Sequence, residues 1–360
     1  MMSAVFRLSI LKPLLRWQQQ IEDLVMRRMK ELSRSAILKP MDQKKPKTQR
    51  DSDGSGILTT VELRLDFRSP GRLNRWLGPA LRGVISKRLK NHWCHWEPAI
   101  RDQSFSHCTG CRYQPHCTFA NLLEPAPAPS VIKGWQAAPH RLVIAPDFPV
   151  RTYARGDGTD PPLDFRLMVY DALDDWLTPI LTALIDAGQS AGLGEDHVQF
   201  EVKPLRICSD GGLHDRLLRV MNSPMEENAA VRVSAITPTM LKRDGQLVRS
   251  PHFFDFLSAS LRLLRAVLGD KQPLGSLFSG FQTDHLKHLA SGVGISRQAW
   301  QFHRPPRNSS RSGERYLVDS ITGWGEFSSV PSPLIELVRI AGNLGIGSQR
   351  VCGAGQVRCE

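Results

Sequence analysis

Between residues 57 and 67 the chain alternates. Leu58, Val61, Leu63, Leu65 and Phe67 are apolar, with polar residues between most of them. A two-residue period is that of a strand with one buried face. Ser69-Pro70-Gly71 then turns the chain. Residues 73–89 change to the helical period, 140–144 and 163–169 read as strands, 172–187 as a helix, and 197–207 as a strand. Strand, helix, strand, strand, helix, strand is the ferredoxin-like order.

The order then repeats. A strand is expected at 231–236, a long helix at 253–268, a loop or short helix at 269–290, and strands at 297–303 and 316–327. A helix follows at 331–341 with Ser332 as its N-cap, and a last strand at 356–359. The halves also share a turn. In the first, a helix runs to Gly188 and then Gly192-Leu193-Gly194; in the second, a helix runs to Gly342 and then Gly345-Ile346-Gly347. Matched turns in matched order point to a duplicated domain.

The expected architecture is therefore α+β: two tandem ferredoxin-like domains of the RAMP/RRM-like kind, at 56–209 and 229–360, the second ending in a glycine-rich loop. A Cys-, Pro- and His-rich insertion lies at about 92–130. Residues 1–55 form an extension. Leu14, Trp17, Ile21, Leu24, Val25 and Leu32 recur at helical spacing there, and 39–56 read as a flexible basic linker.

Charge adds a partner class. The 360 residues carry a formal net charge of +12, which favours a polyanion, either nucleic acid or an acidic membrane surface. The cations are segregated. Arg64, Arg68, Arg72, Arg75, Arg82, Lys87, Arg88 and Lys90 form one group, and Arg297, Arg304, Arg307, Arg311 and Arg315 another; 157–196 is acidic instead. No apolar run is long enough to span a membrane, and the first residues do not read as a signal peptide, so a cytoplasmic protein is expected.

Seven cysteines is an odd number, and Cys94, Cys108, Cys111 and Cys117 are clustered. Without an export signal, that favours a metal over a disulfide framework. Cys108-x-x-Cys111 can bite one ion, and two more thiolates would close a tetrahedral structural zinc site. His92, His95, His107 and His116 are nearby substitutes, and an iron–sulfur cluster is the alternative.

Near the end stand Gly342, Gly345, Gly347, Gly353 and Gly355, flanked by Arg339, Gln349 and Arg350. No Gly-Lys-Ser/Thr follows, so this is not a Walker loop. It can bring backbone N–H groups near phosphates, or simply turn a tight corner. Residues 303–315 combine Arg304, Arg307 and Arg311 with Ser, Asn, Pro and Gly; arginines there can fork onto phosphates, or the segment can be a solvated loop.

Taken together, residues 73–85 (LNRWLGPALRGVI), the four cysteines followed by Leu123-Glu124-Pro125, Ile236-Thr237-Pro238, Leu241-Lys242, 307–311 (RNSSR) and the glycine run resemble the CRISPR-associated RAMP superfamily, in its branch of precursor-CRISPR-RNA-processing endoribonucleases, cysteine-bearing subgroup. The resemblance covers roughly 56–360. Asn308 stands where an aromatic residue is usual. The resemblance implies binding of a repeat hairpin and metal-independent cleavage at its base, the 2′-hydroxyl attacking the adjacent phosphate to leave a cyclic phosphate and a 5′-hydroxyl. Such chemistry needs a base, an acid and cations about the phosphate.

Many members carry a histidine in the first helix; 73–89 contain none. The expected catalytic set is Arg307 and Arg311 for charge stabilisation, with His303 and Tyr316. A first-helix cation, Arg75, Arg82 or Lys87, would help. The general base stays unassigned. The expected RNA-binding set is Arg72, Arg75, Arg82, Lys87, Arg88, Arg304, Arg339, Gly345, Gly347, Gln349, Arg350, Gly353 and Gly355. Three readings stay open: a nuclease that keeps its mature guide RNA, a guide-binding subunit of a CRISPR effector complex that has lost cleavage, and a zinc-stabilised scaffold protein.

Overall fold

The computed structural model describes residues 58–94, 108, 111, 117–124, 140–170, 176–210, 212–225, 228–268, 280–308 and 315–360. The N-terminal helix and linker, His95, His107, His116 and Arg311 lie outside the described residues.

The first half runs β1 (Leu58–Phe67), β2 (Gly71–Arg72), α1 (Gly78–Trp93), α2 (Thr118–Leu123), β3 (Leu142–Pro146), β4 (Tyr153–Ala154), β5 (Leu163–Tyr170), α3 (Leu177–Asp186), β6 (Phe200–Asp210) and α4 (Leu213–Met221). The second runs β7 (Asn228–Thr239), β8 (Lys242–Arg243), β9 (Gln246–Leu247), α5 (Phe253–Leu268), α6 (Gly280–Ser291), β10 (Gly294–His303), β11 (Pro306–Asn308), β12 (Arg315–Leu317), β13 (Ser320–Pro331), α7 (Ser332–Leu344) and β14 (Val357–Cys359). The two main sheets have the orders β3-β5-β1-β6 and β10-β13-β7-β14, antiparallel throughout. In both, the first strand of its half lies between the third and the fourth, so the fold is two ferredoxin-like units in tandem.

The alternation in β1 survives as burial. Val61, Leu63, Leu65 and Phe67 are buried, while Glu62, Arg64 and Asp66 between them are partly exposed. Leu81, Ile85 and Leu89, four residues apart on α1, are fully buried, and α1 packs against α3. The units share apolar core: Val143, Ala145, Met168 and Tyr170 of the first sheet pack into one cluster with Val231, Val233, Phe253, Phe256 and Phe327 of the second unit. Phe327 meets Phe253 and Phe256 edge to face at 5.7 and 6.3 Å.

Several boundaries move. Leu73, Trp76 and Leu77 are buried at helical spacing, but α1 starts only at Gly78, with Pro79 in its first turn, where its missing N–H costs nothing. Arg75 is therefore not on the first helix. His92, by contrast, lies within α1. The expected strand at 316–327 is two, β12 and β13, and α4 was not foreseen. Ser332 is the first residue of α7; Pro331 holds the N-cap position.

Candidate nucleic-acid interface

After α7 the glycine-rich loop folds back on the protein. The Ile346 N–H donates to the Gly355 carbonyl (2.9 Å), and Gly355 N–H to Pro238 O (3.1 Å). A Cβ at Gly345, Gly347, Gly353 or Gly355 would stand 2.8, 2.4, 2.2 or 1.9 Å from the carbonyl oxygen of Ala354, Met240, Ile144 or Ile346. What the bare glycines admit on that side is this chain's own backbone. Gly353 shows the double constraint. Its φ of +74° suits glycine, and its Cα is pressed on β3 of the other ferredoxin unit.

Arg350 corrects the sequence expectation of a phosphate ligand. Its side chain is buried, and Nε donates to the Leu344 carbonyl (3.1 Å), so it ties the loop to the end of α7. Burial lowers its pKa to about 10, which leaves it cationic at neutral pH.

Beside the loop a compact group assembles from both units. Trp76 Nε1 donates to the Cys352 carbonyl (3.1 Å), docking the segment before α1 onto the loop. Arg307 on β11 faces Tyr316 on β12 in register, its guanidinium 5.6 Å from the ring centroid, and donates to Gln349 Oε1. Gln349 is held in the left-handed region at φ 62°.

His140, just before β3, completes the group. Burial, then the positive charges of Arg82 and Arg350, and also Arg307, lower its pKa to about 4, against the pull of a hydrogen bond to the Leu123 backbone. It is a neutral imidazole, and its buried Nδ1 has no hydrogen-bond partner among the described residues. The sequence reading passed over His140. No local pattern distinguishes it; only packing brings it to Arg82 and Arg307.

A second histidine, His303, ends β10. His303 Nε2 bonds Thr322 Oγ1 (2.6 Å), and its ring meets Phe148 edge on, 6.0 Å between centroids. Partial burial, then the charge of Arg75, lowers its pKa.

The remaining expected ligands are placed otherwise. Arg88 pairs with Asp186 (3.2 Å) and Ser190 (2.7 Å), and His92 also bonds Asp186 (3.1 Å). Arg304 pairs with Asp319 (2.8 Å), and Arg339 with Glu336 one turn away on α7. Arg72 uses its backbone N–H on Asp196, and the Lys87 side chain is exposed. On the sheets, Arg64–Asp164, Lys203–Asp66, Arg68–Glu201 and Arg232–Glu326 are likewise paired. Each of these four cations is thus neutralised by a carboxylate.

Of the four clustered cysteines, Cys94 ends α1, Cys117 precedes α2, and the Cys111 N–H donates to the Cys108 carbonyl (3.0 Å). Burial, and then the charge of Glu124, pushes the Cys108 thiol up to about 12. Among the described residues no group of three or more His, Cys, Asp or Glu is already placed to hold a metal ion. Among the described residues no helix is long and apolar enough to cross a membrane.

Residues 233–357 match the family described as CRISPR-associated endoribonuclease Cas6, and 57–229 match the N-terminal domain family AF_1859_N. No curated protein matches the chain. Similar solved structures include the Cas6 (TTHB231) product complex, at 16% identity over 85% of this chain and 100% of that one, TM-score 0.47. Cas6 (TTHB231) of Thermus thermophilus is similar at 14% identity over 85% and 99%, TM-score 0.43. The Cas6-RT-Cas1–Cas2 complex is similar at 12% identity over 85% of this chain and 29% of that one, TM-score 0.48.

Proposed function

We propose, on the premise that the chain belongs to the Cas6 family of CRISPR-associated endoribonucleases, that it binds a CRISPR repeat hairpin, cuts it without a metal and stays on the guide RNA. The observation that carries this reading is the Arg307–Tyr316–Gln349 group, assembled with Arg82 and His140 where the two units meet at the glycine-rich loop.

The reaction is a transesterification. The 2′-oxygen loses its proton and attacks the adjacent phosphorus, the bond to the 5′-oxygen breaks, and that oxygen takes a proton. The products are a 2′,3′-cyclic phosphate and a 5′-hydroxyl. Arg307 supplies a charge-assisted donor to the phosphate oxygens as negative charge builds up. Arg311 is assigned the same role. Tyr316, 40% exposed, is the acid for the leaving oxygen. His303, with its pKa lowered, is available as a neutral base. Arg75 supplies a cation from the segment before α1 instead of from the helix.

The second reading, a guide-binding subunit without cleavage, has its own support: the one histidine of α1, His92, is spent on Asp186. Other Cas subunits are proposed partners under either reading. Structural zinc is proposed for Cys94, Cys108, Cys111 and Cys117, supported by the tight Cys108–Cys111 turn and by the mutual electrostatic influence of these thiols. The ion would draw these thiols together and deprotonate them.

The test is end-labelled repeat RNA incubated with the protein in EDTA and resolved on denaturing and native gels. One cut leaving a cyclic phosphate supports the nuclease. Retarded, intact RNA selects the guide-binding subunit. RNA that is neither retarded nor cut leaves the scaffold reading.

A further inference from the structure

One cleft gathers cations that the fold leaves unpaired. It has a volume of about 740 Å³ and lies between α5, α6, the β8–β9 hairpin and the glycine-rich loop. Lys242, Arg262 and Arg265 line it, and among the described residues none of the three forms an ion pair, unlike the paired arginines elsewhere on the surface. Arg243, also in its wall, is matched by Asp255 (2.6 Å) and adds no net charge.

The lining has a direction. Ser258, Arg262 and Arg265 are spaced i, i+4, i+7 on α5, so they form one row along a single helix face. Seven residues rise about 10 Å, roughly the axial length of three nucleotides of a strand. Ser258 Oγ is buried and has no hydrogen-bond partner among the described residues. The same cleft is also lined by His140 and Gln349, which belong to the site described above. Cleft and site are continuous.

We propose that this cleft is a phosphate-binding channel for the RNA strand leaving the cut, held by Arg262, Arg265 and Lys242. This rests on the RNA-processing reading and deepens it. A phosphodiester backbone fits the features better than a carboxylate-bearing protein: Arg262 and Arg265 stand one turn apart on the same helix face as the hydroxyl of Ser258, and the cleft they line extends to His140 and Gln349.

The test is the salt dependence of repeat-RNA binding by the full chain. Each single-strand phosphate contact contributes about 0.7 to the slope of log K against log salt. Arg262→Ala/Arg265→Ala removes two contacts. The slope should fall by about 1.4, and affinity in 0.1 M salt by about 25-fold, which is that slope over one decade of salt. Arg64→Ala, which removes a cation already neutralised by Asp164, should leave the slope nearly unchanged. A second measurement needs no variant: a 4-thiouridine photocrosslink one to three nucleotides from the cut should fall on the peptide of α5. A parent protein that binds and cuts RNA, with slope and affinity unaltered in the double variant and the crosslink elsewhere, overturns the channel alone. A variant that keeps RNA affinity but loses a protein partner overturns it in favour of an acidic protein surface. A parent protein that does not bind RNA overturns both this proposal and the reading beneath it.

Discussion

Substituting Gly78→Ala should damage the site from outside it. Gly78 opens α1, and a Cβ there would lie 1.7 Å from the Cys352 carbonyl oxygen, in the 3-10 turn of the glycine-rich loop. Real Cβ contacts essentially never fall under 3.0 Å, so helix and loop must part by about 1.3 Å, the difference of those two distances. The obstacle is backbone and cannot rotate away. Separation stretches the Trp76 bond to the same carbonyl and shifts Arg82 relative to Gln349. Overpacking of this kind costs about 1–3 kcal/mol, and a misplacement near 1 Å costs roughly 10²-fold in rate. Gly83→Ala is the control, five residues along the same helix, where a Cβ meets nothing within 4 Å. There alanine should stabilise by about 0.5–1 kcal/mol, the ordinary gain within a helix. Thermal melts and single-turnover cleavage in EDTA read both. Equal stability and rate for Gly78→Ala and the parent would refute the docking argument.

Arg307→Ala should lower the cleavage rate by roughly 10²–10³-fold with RNA affinity little changed, and Arg307→Lys should restore part of the loss, read by single-turnover kinetics beside a binding titration. His140 binds its proton less readily in the folded protein, at about 4 against 6.5. The unfolded chain therefore takes up the proton first, so the stability present above pH 6.5 is lost as pH falls towards 4, by about 3 kcal/mol; denaturant melts of His140→Asn should lack that slope. Purified protein should carry a single zinc ion per chain by elemental analysis, and Cys108→Ser/Cys111→Ser should lose it and melt earlier; a metal-free parent would remove the zinc reading.

Local periodicity carried much of the fold because burial enforces it. In β1 a one-residue slip would turn Leu63 and Leu65 to solvent and Arg64 into the core, so the alternation alone identifies strand and face. The repeated Gly-x-Gly turns likewise mark two equivalent units in the sequence itself. Pro79 is the instructive failure: Leu73, Trp76 and Leu77 copy a helical stripe while lying in the loop before α1.

The site was only half legible. Arg307, Tyr316 and Gln349 stood out because cations and glycines cluster near them in the chain. Arg350 shared that neighbourhood and is buried, while Arg64 shared the basic composition and is cancelled by Asp164, 100 residues away. His140 carried no mark at all. Composition and periodicity are properties of neighbours along the chain, and they determined the two ferredoxin-like units and the bias towards a polyanion. Which cations stay unpaired and which imidazole stays neutral depend on distances through space between groups far apart in sequence. Those the tertiary structure alone decided, by setting Arg82, His140 and Arg307 around one loop while pairing Arg64, Arg88, Arg304 and Arg339 with carboxylates.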